Sequence, residues 1–235
     1  MTQGLDRFRF KHFFDGYNAS IFEFGELLVW EAIAQIEEQL LAKVGDAVVV
    51  EGEVGPHCFI GERSILIEEG ARIESTAVIQ GPAYIGRGAV VRSGAYIRAN
   101  SIIFPGALVG HCTEVKNSIL LDGASTPHFN YVGDSILGCK VNLGAGTRLS
   151  NNKVLKKTPH IEIELEGRMV DTGLRKMGAV LGNRTLTGCN SVLNPGCIVG
   201  EDSIIYPLVN VRKGYYAARS LFKGKGVIGK VRIDS

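Results

Sequence analysis

Branched aliphatic residues recur at every sixth position through most of the chain. The longest block comprises Ile67, Ile73, Ile79, Ile85, Val91, Ile97, Ile103, Val109, Val115 and Leu121. Shorter blocks with the same step comprise Val48, Val54 and Ile60, then Leu137, Leu143 and Leu149, then Val180, Leu186, Val192, Ile198 and Ile204. A period of six fits neither an α-helix nor one long strand, whereas it fits short strands that turn corners at glycines. We therefore predict an all-β fold, a left-handed parallel β-helix of hexapeptide repeats, over residues 46–213.

The two ends of the chain lack this repeat. In residues 1–45, Leu27, Trp30, Ile33, Ile36 and Leu40 follow a helical spacing that Gly45 would end. Because a solenoid needs its ends covered, we expect a short N-terminal helical cap on the first coil, with Trp30 packed there. A helix that binds a partner is the alternative. Residues 214–235 are predicted to form an irregular basic C-terminal tail.

Two segments interrupt the repeat inside the predicted β-helix, one at residues 122–131 and the other at residues 151–179. Stability alone does not require such interruptions, and loops that leave a solenoid usually line a binding face. We therefore expect both segments to be loop excursions, with the functional site where they meet.

Composition narrows the class of protein. The 235 residues carry a formal net charge of +2, which is too small to indicate a nucleic-acid partner. There is no apolar run long enough for a membrane span and no signal-peptide pattern, so we expect a cytoplasmic protein. The five cysteines lack a metal-binding spacing, and we predict that they are packing residues and that there is no metal site.

One histidine stands out as a candidate general base. His128 follows Pro127 within the first interruption, and an imidazole exchanges protons near neutral pH. Glu114 and Lys116 flank the inward-facing Val115, so strand alternation points both outward. Lys116 could hold a phosphate, while Glu114 could hold a sugar hydroxyl or orient the lysine.

Two polar residues follow the same rule as Glu114 and Lys116. Tyr131 precedes the inward-facing Val132, and Asn142 precedes the inward-facing Leu143. Both side chains should therefore point out of the coil.

Three stretches resemble a known enzyme family. They are Glu114-Val-Lys116, His128-x-x-Tyr131-x-Gly133-Asp134 and Val141-Asn-Leu-Gly-Ala-Gly-Thr147. Together they resemble the acetyltransferase domain of the bifunctional bacterial enzyme that makes UDP-N-acetylglucosamine. Residues 167–182, GRMVDTGLRKMGAVLG, are similar to a loop of the archaeal sugar-1-phosphate acetyltransferases. The resemblance covers roughly residues 46–213.

The resemblance implies an acetyl-CoA-dependent N-acetyltransferase that acts on an amino-sugar phosphate, glucosamine 1-phosphate above all. His128 would be the catalytic base. The residues expected to bind the sugar phosphate are Arg98, Glu114, Lys116, Tyr131, Asn142, Arg175 and Lys176. Those expected to bind acetyl-CoA are Asn151, Asn152, Cys189, Pro207, Arg219 and Lys223. The backbone N–H of Cys189 would serve as an oxyanion donor near the thioester carbonyl.

The chain also departs from that family. Phe104 stands before Pro-Gly where the family usually has an arginine, and Arg98, one coil back, could compensate. We find no sequence pattern of a nucleotidyltransferase, so a separate nucleotidyltransferase is a possible partner. Flat β-helix faces can associate about a three-fold axis, so we expect a homotrimer with a site shared between chains.

Three other functions stay open on the sequence. A sugar acyltransferase that takes a longer acyl group from acyl carrier protein could use the same histidine. A zinc carbonic anhydrase on this scaffold would need three convergent histidines, and only His111 and His128 have a short spacing. A non-catalytic protein that binds a sugar nucleotide is the third alternative, which the replacement by Phe104 favours.

Overall fold

The computed structural model describes residues 4–155, 158–165, 167–224 and 227–230, the last by their backbone alone. Parts of the segments predicted above, residues 1–3, 156–157, 166, 225–226 and 231–235, lie outside the described residues. The described chain is a parallel β-helix whose short strands stack into three sheets. The predicted all-β fold class is therefore confirmed.

Each coil runs through three flat faces, which we call the first, second and third face in chain order. The first face consists of Val48–Val50, Ile65–Ile67, Ala83–Ile85, Ser101–Ile103, Ser118–Leu120, Ile136–Leu137, Ala179–Leu181, Cys197–Val199 and Gly214–Tyr216. The second face consists of Glu53–Val54, Arg72–Ile73, Val90–Val91, Leu108–His111, Ser125–His128, Asn142–Leu143, Leu186–Thr187, Ile204–Ile205, Ser220–Lys223 and Val227–Lys230. The third face consists of Phe59–Ile60, Val78–Ile79, Tyr96–Ile97, Glu114–Lys116, Tyr131–Gly133, Arg148–Leu149, Val192–Leu193 and Asn210–Val211. The first corner joins the first face to the second, the second corner joins the second to the third, and the third corner returns to the first.

The aliphatic column fills the narrow interior, as the repeat predicts. The residues from Ile67 to Val115 at steps of six are all buried in one continuous core. The next inward residue is Leu120 and not Leu121, because the third corner at this coil turns with Asn117 at φ 45° and is one residue shorter. In the last block the inward residues are those from Leu181 to Val211, one position after the residues predicted.

The shortened corner explains why residues 122–131 look like an interruption, and the predicted excursion there is wrong. Ser125–His128 is a regular strand of the second face, in parallel register with Leu108–His111. Its inward residue is the buried Thr126, whose hydroxyl donates to the carbonyl of Leu108 at 3.1 Å. Because this inward position holds a hydrogen-bonded threonine and not an aliphatic residue, the six-residue repeat is interrupted in the sequence although the coil continues.

Residues 151–178, by contrast, do leave the coil. On the first face, Ile136–Leu137 pairs directly with Val180–Leu181, so the chain completes one coil between them and residues 151–178 are inserted at its third corner. Within it, Glu162–Leu165 and Arg168–Asp171 form an antiparallel pair. The buried side chains of Ile161, Ile163 and Leu165 pack onto the outer side of the first face.

The N-terminal segment forms helices, but it lies beside the coils and does not cap them. A 3-10 turn at Asp6–Phe8 precedes α1 (Phe10–Phe13), α2 (Val29–Ala34) and α3 (Ile36–Val44), and Gly45 ends α3 with φ 65°. Trp30 belongs to a cluster with outward residues of the first face, and the ring of Phe22 lies 5.2 Å from that of Tyr84. The first coil is left open among the described residues, since its inward side chains Val50 and Val54 are 44% and 39% exposed. The outward side chains of the first face are apolar and offer the helices a larger surface than the narrow end of the coil.

The C-terminal segment is also more regular than predicted. Gly214–Tyr216 and Ser220–Lys223 continue the parallel sheets, so the β-helix extends beyond residue 213. Val227–Lys230 then pairs antiparallel with Ser220–Lys223. No described helix has the length and apolar character needed to cross a membrane.

Candidate active site

The outer surface of the third face carries a grid of polar side chains. Glu114 stands in register with Tyr96 and Tyr131, and Lys116 with Gly133. The alternation predicted for Glu114, Lys116 and Tyr131 is therefore what the structure has. Arg98 reaches across one coil, and its guanidinium donates to Glu114 at 2.8 Å with both side chains partly exposed.

Asp134 is the hub of this grid at the third corner. Its carboxylate accepts hydrogen bonds from the Lys116 ammonium at 3.2 Å and the Asn117 amide at 2.9 Å, and it also accepts one from the Asn151 amide. The Asp134 side chain is only 6% exposed, so this is a nearly buried charge held by a cation and two amides. Sequence reasoning quoted Asp134 within the motif but gave it no role, because its function depends on contacts between coils.

Tyr131 and Asn151 meet above Gly133. The Asn151 amide donates to the Tyr131 hydroxyl at 3.1 Å. A Cβ atom on Gly133 would lie 2.6 Å from that hydroxyl and 2.8 Å from the amide nitrogen, so the glycine makes room for the contact. Burial raises the pKa of Tyr131, and the carboxylates of Glu114 and Asp134 raise it further. The hydroxyl therefore stays protonated and can donate to a ligand on the third face.

His128 lies at the second corner, at the other edge of the same face. It is exposed and stands in register with His111 one coil earlier. In the next three coils the same corner position is occupied by Ala145, Cys189 and Pro207. In each coil, the amide of the residue after the corner position donates to the carbonyl of the corner residue one coil earlier, at 3.0, 2.8 and 3.0 Å. His128, Cys189 and Pro207 thus form one column along the second corner.

The backbone N–H of Cys189 lies against a glycine of the preceding coil. A Cβ atom at Gly144 would lie 2.6 Å from the Cys189 nitrogen, so only glycine lets the two backbones approach this closely. No hydrogen bond from this N–H is found among the described residues. The Cys189 side chain is a free, exposed thiol. The arrangement gives an amide donor on the same corner as the imidazole.

The other expected cofactor and substrate residues divide between sites. Lys223 lies at the end of the same column, with its ammonium 5.3 Å from the centre of the Tyr206 ring. Asn142 is exposed on the second face, in register with Ser125. Arg219 lies at the first corner, where its amide donates to the carbonyl of Glu201, so the structure does not bring it to the second corner. Coil register places Arg219 on another edge of the same chain, and its role in binding the cofactor stays a prediction.

A cavity of about 910 Å³ opens at the third corner. Its walls come from α2 and α3, from corner residues of three coils and from the inserted segment. Asn152, Arg175 and Lys176 all line it, together with Asp134. Within one chain, Asn151 and Asn152 therefore lie across the third face from Cys189 and Pro207. Phe104 is fully buried under the N-terminal segment and offers nothing to this cavity.

Asn100 and Asn117 also line the cavity, and the sequence gave no sign of their importance. Both residues turn the third corner with positive φ, which asparagine tolerates better than most residues. A repeat-by-repeat alignment of corner positions would have marked them as a column. Among the described residues there is no group of three or more histidine, cysteine or acidic side chains that could hold a metal.

Comparisons with known proteins agree with this architecture. A family model described as the GMPPB C-terminal domain matches residues 79–172. A bifunctional sugar-1-phosphate nucleotidylyltransferase/acetyltransferase of Sulfurisphaera tokodaii is 36% identical over 188 residues, which are 79% of this chain and 44% of that protein. The bifunctional protein GlmU of Methanococcus maripaludis is 42% identical over 142 residues, 60% of this chain and 34% of that protein.

A solved structure of Arabidopsis UDP-N-acetylglucosamine acyltransferase matches with a TM-score of 0.45 and 12% identity, covering 80% of this chain and 73% of that one. The chain spans less than half the length of the two relatives named above. The resemblance to the hexapeptide-repeat sugar-phosphate acetyltransferases, suggested by the sequence motifs, is thereby confirmed.

Proposed function

We propose that this chain is an acetyl-CoA-dependent N-acetyltransferase that acts on an amino-sugar phosphate, with glucosamine 1-phosphate as the first candidate. The observation that carries the proposal is the position of His128. The imidazole stands at the edge where the polar third face meets the column of Cys189 and Pro207 at the second corner. A base at that edge can serve an acceptor on one side and a donor on the other.

The third face has the right width for a sugar phosphate. Lys116 is in register with Gly133, which follows His128 by five residues that include the second corner, where Phe129 has φ 53°. Five fully extended residues would span about 16 Å, so the Cα atoms of His128 and Gly133 are closer together than that. The side chains of His128 and Lys116 can each extend several ångströms over the face toward the other. A hexosamine between them would direct its amine to His128 and its phosphate to the third corner.

The charges at the third corner support this orientation. Lys116 is paired with Asp134, and Arg98 with Glu114, so these four groups together add no net charge. Arg175 and Lys176 line the adjoining cavity, and neither has an ion pair or hydrogen bond among the described residues. They supply the positive charge that a phosphate requires, while Lys116 and Tyr131 supply directed hydrogen bonds.

The second corner suits the acyl donor. Glycine residues at 144 and 146 leave no side chain on the turn that precedes Cys189, and the Cys189 amide has no hydrogen-bond acceptor among the described residues. An amide donor at the thioester carbonyl would stabilise the oxyanion that forms on attack. Further along, Pro207 continues the column and Lys223 stands near its end, where the coenzyme phosphates would lie.

The reaction then needs no covalent enzyme intermediate. The amine nitrogen attacks the thioester carbonyl while His128 takes a proton from it, and negative charge develops on the oxygen near the Cys189 N–H. This attack forms the C–N bond and gives a tetrahedral intermediate, whose collapse restores the carbonyl and breaks the C–S bond. The proton passes from His128 to the departing sulfur, which leaves as the free thiol.

The separation of Asn151 and Asn152 from the second corner supports a homotrimer. In a ring of three chains, the third corner of one chain can face the second corner of its neighbour and complete the donor groove. We expect sedimentation equilibrium to give three times the chain mass. A stable monomer with full activity would contradict the shared site.

The test of the function is a thiol-release assay with acetyl-CoA and a panel of free amino sugars, their 1-phosphates and their 6-phosphates. We expect thiol release that depends on the sugar and a product heavier by one acetyl group by mass spectrometry. Transfer to the amine is distinguished from transfer to oxygen by resistance of the product to mild alkali. Thiol release without a sugar, or none with any sugar, would contradict the proposal.

A further inference from the structure

The cavity at the third corner is placed beyond the phosphate end of the proposed acceptor site. Asp134 belongs to both, since it bonds Lys116 on the third face and also lines the cavity. A volume of about 910 Å³ lies within the range of pockets that enclose whole ligands, roughly 300–1,000 Å³. A sugar bound on the third face would leave this space unfilled. Whatever is joined to its phosphate would enter it.

Three cations, Lys153, Arg175 and Lys176, line the cavity together with Asp134. Arg175 and Lys176 follow the returning strand Arg168–Asp171 of the inserted segment, and Met177 next to them donates from its amide to the Asn151 carbonyl at 3.1 Å. Because Lys116 and Arg98 already have carboxylate partners, the positive charge without such a partner among the described residues near the third corner comes from the cations of the cavity. This placement fits a second phosphate better than a terminal one.

The remaining walls are unsuited to a bare phosphate. Asn100 lines the cavity, and its side-chain oxygen is buried with no hydrogen-bond donor among the described residues. Glu37 of α3 adds a second acceptor on the facing wall. Ile33 and Leu174 add apolar surface. Acceptors beside apolar surface match the hydroxyls of a ribose and the N–H groups and flat face of a base.

We propose that the acceptor is an amino sugar linked to a nucleoside diphosphate, with its diphosphate at Arg175 and Lys176 and its nucleoside against α2 and α3. This inference rests on the proposed acetyltransferase function and replaces a sugar 1-phosphate as the preferred acceptor. It also gives the N-terminal segment a role in substrate selection, because α2 and α3 form the wall that the nucleoside contacts.

The first test compares two acceptors, an amino sugar 1-phosphate and the same amino sugar linked to UDP or GDP, in the thiol-release assay. We expect kcat/KM at least about tenfold higher for the nucleoside-linked acceptor, which corresponds to about 1.4 kcal/mol. In calorimetry with CoA bound, UDP or GDP should bind while inorganic phosphate at the same concentration gives no heat. Equal or better use of the 1-phosphate would overturn the inference and leave the acetyltransferase function standing.

The second test fills the cavity. Ala34 is an exposed cavity-lining residue at the end of α2, so Ala34→Trp should block the nucleoside without disturbing the core. We expect this variant to lose the preference for the nucleoside-linked acceptor and to keep its activity with the 1-phosphate. Ala42→Trp, at an exposed position of α3 away from the cavity, is the matched control and should change neither.

Arg175→Gln and Lys176→Gln should each raise KM for the nucleoside-linked acceptor several-fold more than KM for the 1-phosphate. If Ala34→Trp leaves the preference intact, the nucleoside does not occupy this cavity and the inference is wrong. If neither acceptor gives thiol release, the proposed function fails and the inference fails with it.

Discussion

The first and third faces of the β-helix have the same interior and opposite exteriors. Both consist of strands of two or three residues that send aliphatic side chains into one column. On the first face the outward side chains include Tyr84, Ile102 and Ile119, all buried under the N-terminal segment. On the third face the equivalent outward positions include Glu114 and Tyr131, which lie open and bonded to polar neighbours.

This difference shows that the outward residues, and not the repeat, assign a role to each face. The inward aliphatic residues determine the shape of the coil, and they do not determine which residues stand on its outer surface. An apolar exterior binds the chain's own helices, whereas a polar exterior with a glycine between long side chains leaves a surface for a ligand. Changes on the first face should therefore alter stability, and changes on the third face should alter activity.

The largest effect is expected at the edge of the third face. His128→Ala should lower kcat about 10²–10⁴-fold, because the amine would lose its proton acceptor. His111→Ala is the matched control, since His111 occupies the same corner position one coil earlier. It should keep most of the activity in the same thiol-release assay. Equal losses in the two variants would mean that the corner, and not this imidazole, matters.

The next effect belongs to the first face. Phe104 is fully buried and its ring lies 5.8 Å from that of Phe22, so Phe104→Ala should lower the free energy of unfolding by about 3–5 kcal/mol. Phe59→Ala on the open first coil, where the side chain is 54% exposed, should cost less than about 1 kcal/mol. Urea denaturation measures both. Comparable costs would show that the N-terminal segment does not cover the first face.

A change at Lys116 tests whether the polar side chains of the third face also contribute to the stability of the fold. Because its ammonium compensates the nearly buried Asp134, Lys116→Ala should lower the free energy of unfolding by about 2 kcal/mol, besides weakening sugar-phosphate binding. Arg98→Ala, which breaks a more exposed pair, should cost at most about 1 kcal/mol. The double variant Lys116→Ala with Asp134→Asn should regain most of the stability. If it does not, the lysine stabilises the chain by some other contact.

A smaller effect on activity is expected at Gly133. The added methyl group of Gly133→Ala would meet the Tyr131 hydroxyl and the Asn151 amide and displace both side chains. We expect kcat/KM to fall about tenfold with little change in stability, because a shift of about 1 Å in positioning groups is costly. Gly61→Ala serves as control, since its nearest contacts are at an acceptable 3.4 Å. Unchanged kinetics would show that the Tyr131–Asn151 contact does not position the substrate.

The smallest effect concerns a carboxyl at the first corner. Burial raises the pKa of Asp122, and one of its oxygens is buried with no hydrogen-bond partner in the part of the chain that the structure describes. Its contribution to stability is therefore greatest below the unfolded pKa, near about 3.9, and is lost as pH rises through the folded value. Asp122→Asn should stabilise the chain by up to about 1 kcal/mol near pH 7 and by nothing in acid. Urea denaturation at both pH values checks the sign, and a larger gain in acid would contradict it.

Much of the fold follows from the sequence, because one repeat determines both the coil and the direction of its side chains. The column from Ile67 to Val115 is inward as expected, and alternation around Val115 correctly turned Glu114 and Lys116 outward. The predicted register is wrong where two neighbouring residues are equally suited to the inward position. At Val180-Leu181 both residues are aliphatic, and only the covering of the first face decides that Leu181 points inward.

The remaining features depend on contacts between distant segments. The helical stripe around Trp30 predicts an apolar partner but does not say whether that partner is the end or the side of the coil. To predict that His128, Cys189 and Pro207 align in one column, one must know the number of residues per coil and the length of the inserted segment. No sequence motif gives either number. The one-residue shortening at Asn117 is a local choice of backbone conformation that the hexapeptide pattern does not record.

The most direct test of the central claim is a crystal structure of the protein with CoA and an amino-sugar phosphate bound together. We predict the CoA thiol at the second corner beside His128 and the Cys189 amide, and the sugar on the third face with its phosphate toward Lys116. A sugar bound on the second face or at the first corner, with the imidazole of His128 out of reach of its amine, would contradict the account.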